Sequence, residues 1–253
     1  MGSRLVYTSL SRIVNNYVKA AWNCKKCQNI HAVCAKKEIE IDIKFAGVSK
    51  YSSEIPKKCW QCNYPFKSEL FCKKCQTLQE PPDQMDYFEI LGAKKSFDVD
   101  TKEIQQTFRK MQNILHPDRF GNKSDKEKQY SEYLSSLLNK AYSTLTNPLT
   151  RGLYLLELNN MSIPEGKTDL DPKFLMEIME KNEAVEEAAN DQTKIVDLAK
   201  ENRKTLDTLS REVAEAFKND DIQKAQHILL KMKYYASLDE KLKALKRSLG
   251  IME

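Results

Sequence analysis

The sequence predicts a mainly α-helical protein. Glycine is scarce, with 7 among 253 residues, and 30% of the chain is charged, a composition that favours helix over turn-rich β structure. From residue 100 onward apolar side chains recur at three- and four-residue spacings, the period of a buried helix face. The expected architecture is a helical hairpin followed by a C-terminal three-helix bundle, preceded by a small tetracysteine module. The expected units are 1–54 (N-terminal extension), 55–80 (cysteine module), 84–160 (hairpin domain) and 168–250 (bundle).

The net charge of +5 is unevenly placed. Residues 1–37 carry seven basic side chains (Arg4, Arg12, Lys19, Lys25, Lys26, Lys36, Lys37) and no acid, so the remainder holds 34 basic against 36 acidic residues. That body offers no electrostatic reason to bind a phosphate backbone, and nucleic acid is not an expected partner. The acid-free segment, with spaced basic residues, several serines and Leu5, Leu10, Ile13, Val14 and Val18, has the composition of a mitochondrial transit peptide; a solvated basic tail is the alternative. Alternation of Ile39, Ile41, Ile43 and Phe45 with polar residues predicts a half-buried strand just beyond it. No run reaches the roughly 18 apolar residues of a spanning helix, so membrane insertion is not expected.

All seven cysteines lie within the first 75 residues. Cys59-Trp-Gln-Cys62, nine residues, then Cys72-Lys-Lys-Cys75 is the spacing that lets two knuckles converge four thiolates on one tetrahedral ion, with Lys57, Lys58, Lys73 and Lys74 offsetting its negative charge. One structural zinc is the expected occupant, and iron in the same cage is the alternative. The short spacer predicts a compact hairpin with Tyr64 and Pro65 near its turn. Disulfide exchange is the rival use of a Cys-x-x-Cys pair, but two matched pairs without a βαβ pattern argue against it. Cys24, Cys27, His31 and Cys34 are a candidate second set whose spacing matches no familiar site.

From Met85 the pattern changes. Asp86 through Leu91 before Gly92 reads as a short helix with a glycine stop. Asp98 or Asp100 caps the next helix, whose stripe is Ile104, Phe108, Met111 and Leu115. Pro117 disfavours helical geometry at the residue before it, so this helix ends there and His116 and Asp118 are displayed on a loop. Asp125 to Thr146 resume the period through Tyr130, Leu134, Leu137, Leu138, Ala141, Tyr142 and Leu145, and Asn147-Pro148 closes the segment. Asp171-Pro172 opens a helix carrying Phe174, Ile178 and Val185 on one face. Leu175, Met176 and Met179 widen that stripe beyond one packed face, leaving them either as core or as a partner surface. Helices from about Gln192 to Asn219 and from Asp221 to Leu249 complete the bundle, with a short connection that implies antiparallel neighbours.

His116-Pro117-Asp118 alone is a weak signal, and its context decides. The Tyr87-Phe-Glu-Ile-Leu-Gly92 opening, the amphipathic helix ending in His-Pro-Asp, Asn139-Lys-Ala-Tyr142 and Asn147-Pro148 together resemble a J domain. With Arg151-Gly-Leu-Tyr-Leu-Leu-Glu157, Phe174-Leu-Met-Glu177 and the tetracysteine motif, residues 59–250 resemble the HscB family of iron–sulfur co-chaperones, in the mitochondrial form with an N-terminal cysteine module. That resemblance implies a protein that is not itself an enzyme. It would bind an IscU-type scaffold, bring it to a mitochondrial DnaK-class chaperone, stimulate that chaperone's ATPase and promote cluster transfer to recipient proteins. It places the protein in the mitochondrial matrix, with a cytoplasmic location as the alternative.

Carried over position by position, the resemblance assigns chaperone contact to His116, Pro117 and Asp118. Lys102, Arg109, Lys110 and Arg119 add positive charge for an acidic chaperone surface, though each is also compatible with a merely solvated helix face. Leu175, Met176, Met179, Glu180, Glu183 and Glu187 are assigned to scaffold recognition, and an aromatic of the last helix, Tyr234 or Tyr235, is expected nearby. Two other classes stay open. A general co-chaperone for unfolded clients would share the J domain and cysteines, and a zinc or thiol redox enzyme would need a base that none of the three histidines evidently supplies.

Overall fold

All seven helices among the described residues begin on a side-chain oxygen: Asp86, Asp100, Ser124, Asn147, Asp171, Asp191 and Asp221 each accept a backbone N–H of the first turn. Each such cap satisfies a donor that the helix cannot satisfy itself, at about 1 kcal/mol. The computed structural model describes residues 57–66, 69–82, 85–163 and 170–251. The expected transit segment, the strand over residues 39–45 and the Cys24–Cys27–His31–Cys34 set lie outside them.

The cysteine module is two knuckles of the same shape. Strands β1 (Lys57–Lys58) and β2 (Pro65–Phe66) pair antiparallel around the first, and an isolated bridge joins Phe71 to Leu78 around the second. After each Cys-x-x-Cys comes a residue in the left-handed region, Asn63 and Gln76, both at φ 57°. Their N–H groups donate to Cys59 O (2.9 Å) and Cys72 O (2.8 Å), and Cys59 and Cys72 donate in turn to Tyr64 O and Thr77 O.

Helix α1 (Tyr87–Ile90) stops at Gly92, whose φ of 65° lets the chain reverse into the next segment. Helix α2 (Thr101–Leu115) takes Asp100 rather than Asp98 as its cap and buries Ile104, Met111 and Leu115. Phe108 completes the stripe by stacking on Tyr142, with ring centroids 4.2 Å apart. His116 is extended (φ −61°, ψ 129°), as the following proline demands, and Pro117–Phe120 form a single 3₁₀ turn rather than open loop. Helix α3 (Asp125–Thr146) returns antiparallel behind a capping box made by Ser124 and Glu127.

A further helix, α4 (Pro148–Leu158), follows without a break. Asn147-Pro148 ends α3 as predicted, but it also starts α4, because Asn147 Oδ1 accepts from Leu149 N (2.9 Å) and proline suits a first helical turn. Helix α4 lies on the bundle, which consists of α5 (Pro172–Glu187), α6 (Gln192–Lys218) and α7 (Ile222–Ser248). Gly152 makes that approach possible, since a Cβ there would meet Leu229 Cδ2 at 2.5 Å.

One core therefore runs from the cysteine module through the hairpin into the bundle. It joins Leu70 and Leu78 of the module, Phe88, Ile104, Leu115, Leu138 and Leu145 of the hairpin, and Val213, Leu229 and Met232 of the bundle. Smaller clusters fill the far end of the bundle around Ile195 and Leu238, and the α5 side around Phe174, Ile178 and Tyr235.

Candidate functional site

The four cysteine sulfurs lie within 4.8 Å of one another. Cys59 Sγ and Cys75 Sγ are 3.6 Å apart, as are Cys62 Sγ and Cys72 Sγ. Four sulfurs at about 2.3 Å from one tetrahedral ion would be about 3.8 Å apart, so the donor set fits a single metal. Gln79 Nε2 donates to Cys59 Sγ at 3.4 Å, and Cys75 Sγ hydrogen-bonds with Thr77 Oγ1 at 3.2 Å. Against a lowering backbone hydrogen bond from Tyr64, burial and the crowding of sulfurs push the Cys62 thiol up to about 12. The Thr77 hydroxyl is the main influence holding the Cys75 thiol down to about 6.

Nothing in the local sequence announces how this module is anchored. Trp60 Nε1 donates to Leu78 O at 2.8 Å, and Lys126 of α3 sits 5.0 Å from the Trp60 ring centre. Leu78 N donates to the buried Glu127, the residue that also closes the α3 capping box. The only local hint was Ser124-x-x-Glu127, and it identifies the cap but not the second partner.

At the same end of the hairpin stand His116 and Asp118, with side chains 53% and 89% exposed. The loop is nevertheless well supported. His116 Nδ1 accepts from Asp118 N at 3.3 Å, and Phe120 is buried as its anchor. Ser131 Oγ donates to Leu115 O (2.7 Å), Ser135 Oγ to Gln112 Oε1 (3.0 Å), and Gln112 Nε2 to Asn139 Oδ1 (2.6 Å), locking the end of α2 against α3.

Lys102, Arg109 and Lys110 are exposed on α2, with Lys102 and Arg109 seven apart and so on one face. Pro117 is half-buried. Arg119 folds back, and its guanidinium donates to Asn113 O (2.7 Å) and Oδ1 (3.3 Å), where it also complements the α2 C-terminus. Arg151 performs a similar task inside the core: it donates to Leu145 O at 2.6 Å, packs 4.8 Å from the Phe97 ring centre, and burial lowers its pKa.

On α5 the inward stripe is Phe174, Ile178 and Val185. At about 100° per residue, Met176, Glu183 and Glu187 point almost directly away from it, with Glu180 and Met179 flanking them. Met176 and Met179 are each 62% exposed, so these two methionines are surface residues and not core. Leu175 is half-buried against the Phe174 cluster. Tyr235 is buried and Tyr234 half-buried edge-on to Phe174, with ring centroids 5.8 Å apart.

Residues 86–154 match the DnaJ domain model, and residues 170–243 match the model described as the HSCB C-terminal oligomerisation domain. Over 205 residues the chain is 40% identical to the human iron–sulfur cluster co-chaperone protein HscB, covering 78% of this chain and 85% of that protein. This chain belongs to the HscB family. The Arabidopsis thaliana HscB homologue is 34% identical over 193 residues, covering 76% of this chain and 75% of its own length. The crystal structure of human HscB superposes with a TM-score of 0.70 at 38% identity, over 75% of this chain and 98% of that one. HscB from Vibrio cholerae superposes at 0.59 with 26% identity, over 65% and 99%. Membership of the HscB family accounts for the helical hairpin and the bundle together. Among the described residues, no helix is long and apolar enough to cross a membrane.

Proposed function

We propose that this protein is a mitochondrial-matrix co-chaperone of iron–sulfur cluster biogenesis that couples two binding events. At one end His116, Pro117 and Asp118 engage the ATPase domain of a DnaK-class chaperone, and at the other α5 holds an IscU-type scaffold. The observation that carries this reading is the outward pair Met176 and Met179 among carboxylates, on a helix whose own cluster of Phe174, Ile178 and Tyr235 is separate from the core under the His116–Asp118 loop.

The exposed Asp118 carboxylate, 3.5 Å from His116 Nδ1, pairs with a guanidinium of the chaperone, a charge-assisted contact that shifts a two-state ATPase domain to the extent that it is stronger in one state. Lys102, Arg109 and Lys110 steer an acidic surface toward it. Arg119, turned back onto Asn113, serves the loop first and the partner second. Methionine is adaptable and polarizable, suiting a protein partner of irregular shape, while Glu180, Glu183 and Glu187 give charge selectivity. Tyr234, with the more accessible ring of the two tyrosines, extends this surface from α7. Zinc at Cys59, Cys62, Cys72 and Cys75 supplies a structural cross-link.

The ATPase rate of a DnaK-class chaperone, measured with this protein and with or without purified scaffold, tests the proposal. Synergy between the two is expected. Equal stimulation by any unfolded client would favour a general co-chaperone instead.

A further inference from the structure

Helix α5 presents its recognition face only if its roll about its own axis is held. Its apolar inward stripe is short, and most polar ties to its neighbours are exposed: Lys181 to Glu201 of α6 at 2.8 Å, and Lys241 of α7 to Asn182 at 2.6 Å. Exposed ties of this kind contribute little. One tie is different. The buried Tyr235 of α7 donates its hydroxyl to Glu177 Oε1 at 2.5 Å, with Phe174 against its ring. Tyr235 is itself pinned from α6, because the buried Asn202 donates to its backbone carbonyl at 3.1 Å. Three helices thus meet in the chain Asn202, Tyr235, Glu177.

We infer that Tyr235 and Glu177 are positioning residues for partner recognition: their bond sets the roll of α5, and so aims Met176, Met179, Glu183 and Glu187 outward together. Neither needs to touch the partner. Burial and the nearby Glu177 carboxylate raise the Tyr235 pKa, which keeps the hydroxyl protonated and able to donate at neutral pH. Tyr235→Phe keeps the ring and removes the bond, whereas Glu177→Gln retains an acceptor. This inference rests on the scaffold-recognition reading of α5.

The test combines amide exchange of α5 in the free protein, scaffold affinity by calorimetry, and chaperone stimulation without scaffold. Tyr235→Phe is expected to speed α5 exchange about tenfold and to weaken scaffold binding by about tenfold. Stimulation without scaffold should not change, and Glu177→Gln should remain within about threefold of the parent in both measurements. Unchanged exchange in Tyr235→Phe overturns the inference; if affinity alone falls, Tyr235 is a direct contact. Faster exchange with unchanged affinity also overturns it, provided Met176→Ala with Met179→Ala does weaken binding. If the methionine variant binds normally too, α5 is not the recognition helix, and the underlying reading is what has failed.

Discussion

The backbone N–H of Leu78 donates to the carboxylate of Glu127 across 3.4 Å and 49 positions of sequence. One carboxylate therefore caps α3 and holds the cysteine module against it, immediately after the His116–Asp118 loop. Removing it should strip the capping box and leave a buried donor unpaired. Glu127→Ala is expected to lower stability by about 2–3 kcal/mol in urea unfolding. A loss below about 1 kcal/mol would mean that water satisfies Leu78 without cost.

Metal removal should act beyond the module itself. Leu70 and Leu78 belong to the hairpin core, so chelation is expected to unfold residues 57–80, expose these leucines and accelerate amide exchange near Ser131 and Leu134. The α5–α7 bundle keeps its helical circular dichroism, because no ligand lies past Cys75. Unaltered exchange in α3 after complete chelation would show that the docked module contributes nothing to the hairpin.

His116→Gln should abolish chaperone stimulation and leave scaffold affinity within about twofold, since His116 is exposed and no core contact depends on it. Calorimetry with purified scaffold separates the two effects. Loss of both would contradict two independent docking sites.

Met176→Ala combined with Met179→Ala should weaken scaffold binding by at least about tenfold, the loss of two exposed anchors from a small apolar patch. Its melting temperature should stay close to the parent's, because both side chains are 62% exposed and surface truncations usually change stability by less than about 0.5 kcal/mol each. A large fall in melting temperature would place these side chains in the core of the protein in solution.

Gly152→Val should destabilise the protein by about 2 kcal/mol. The added carbons would enter the space of Leu229, which is fully buried and has little room to retreat. Urea unfolding measures the loss, and pairing the variant with Leu229→Ala should restore part of it.

Most helix boundaries were readable in advance, because a cap and a 3.6-residue period are local properties of the chain. Asp125 and Thr146 were placed without error, as was the extended His116 before Pro117. Helix α4 was missed for a local reason too: Asn147-Pro148 is equally good as a stop and as a start, and only the apolar face of α7 tells that Leu155 and Leu156 have something to pack against.

Sequence alone determined most of the helices, the segment that carries His116 and Asp118, the four cysteines that come together and the family resemblance, since each is written in spacing along the chain. Tertiary structure decided that Met176 and Met179 face solvent, that Tyr235 and not Tyr234 is buried, and that Leu78 reaches Glu127. These depend on which surfaces meet, and a helix stripe wider than one face cannot say which of its edges a neighbour will cover.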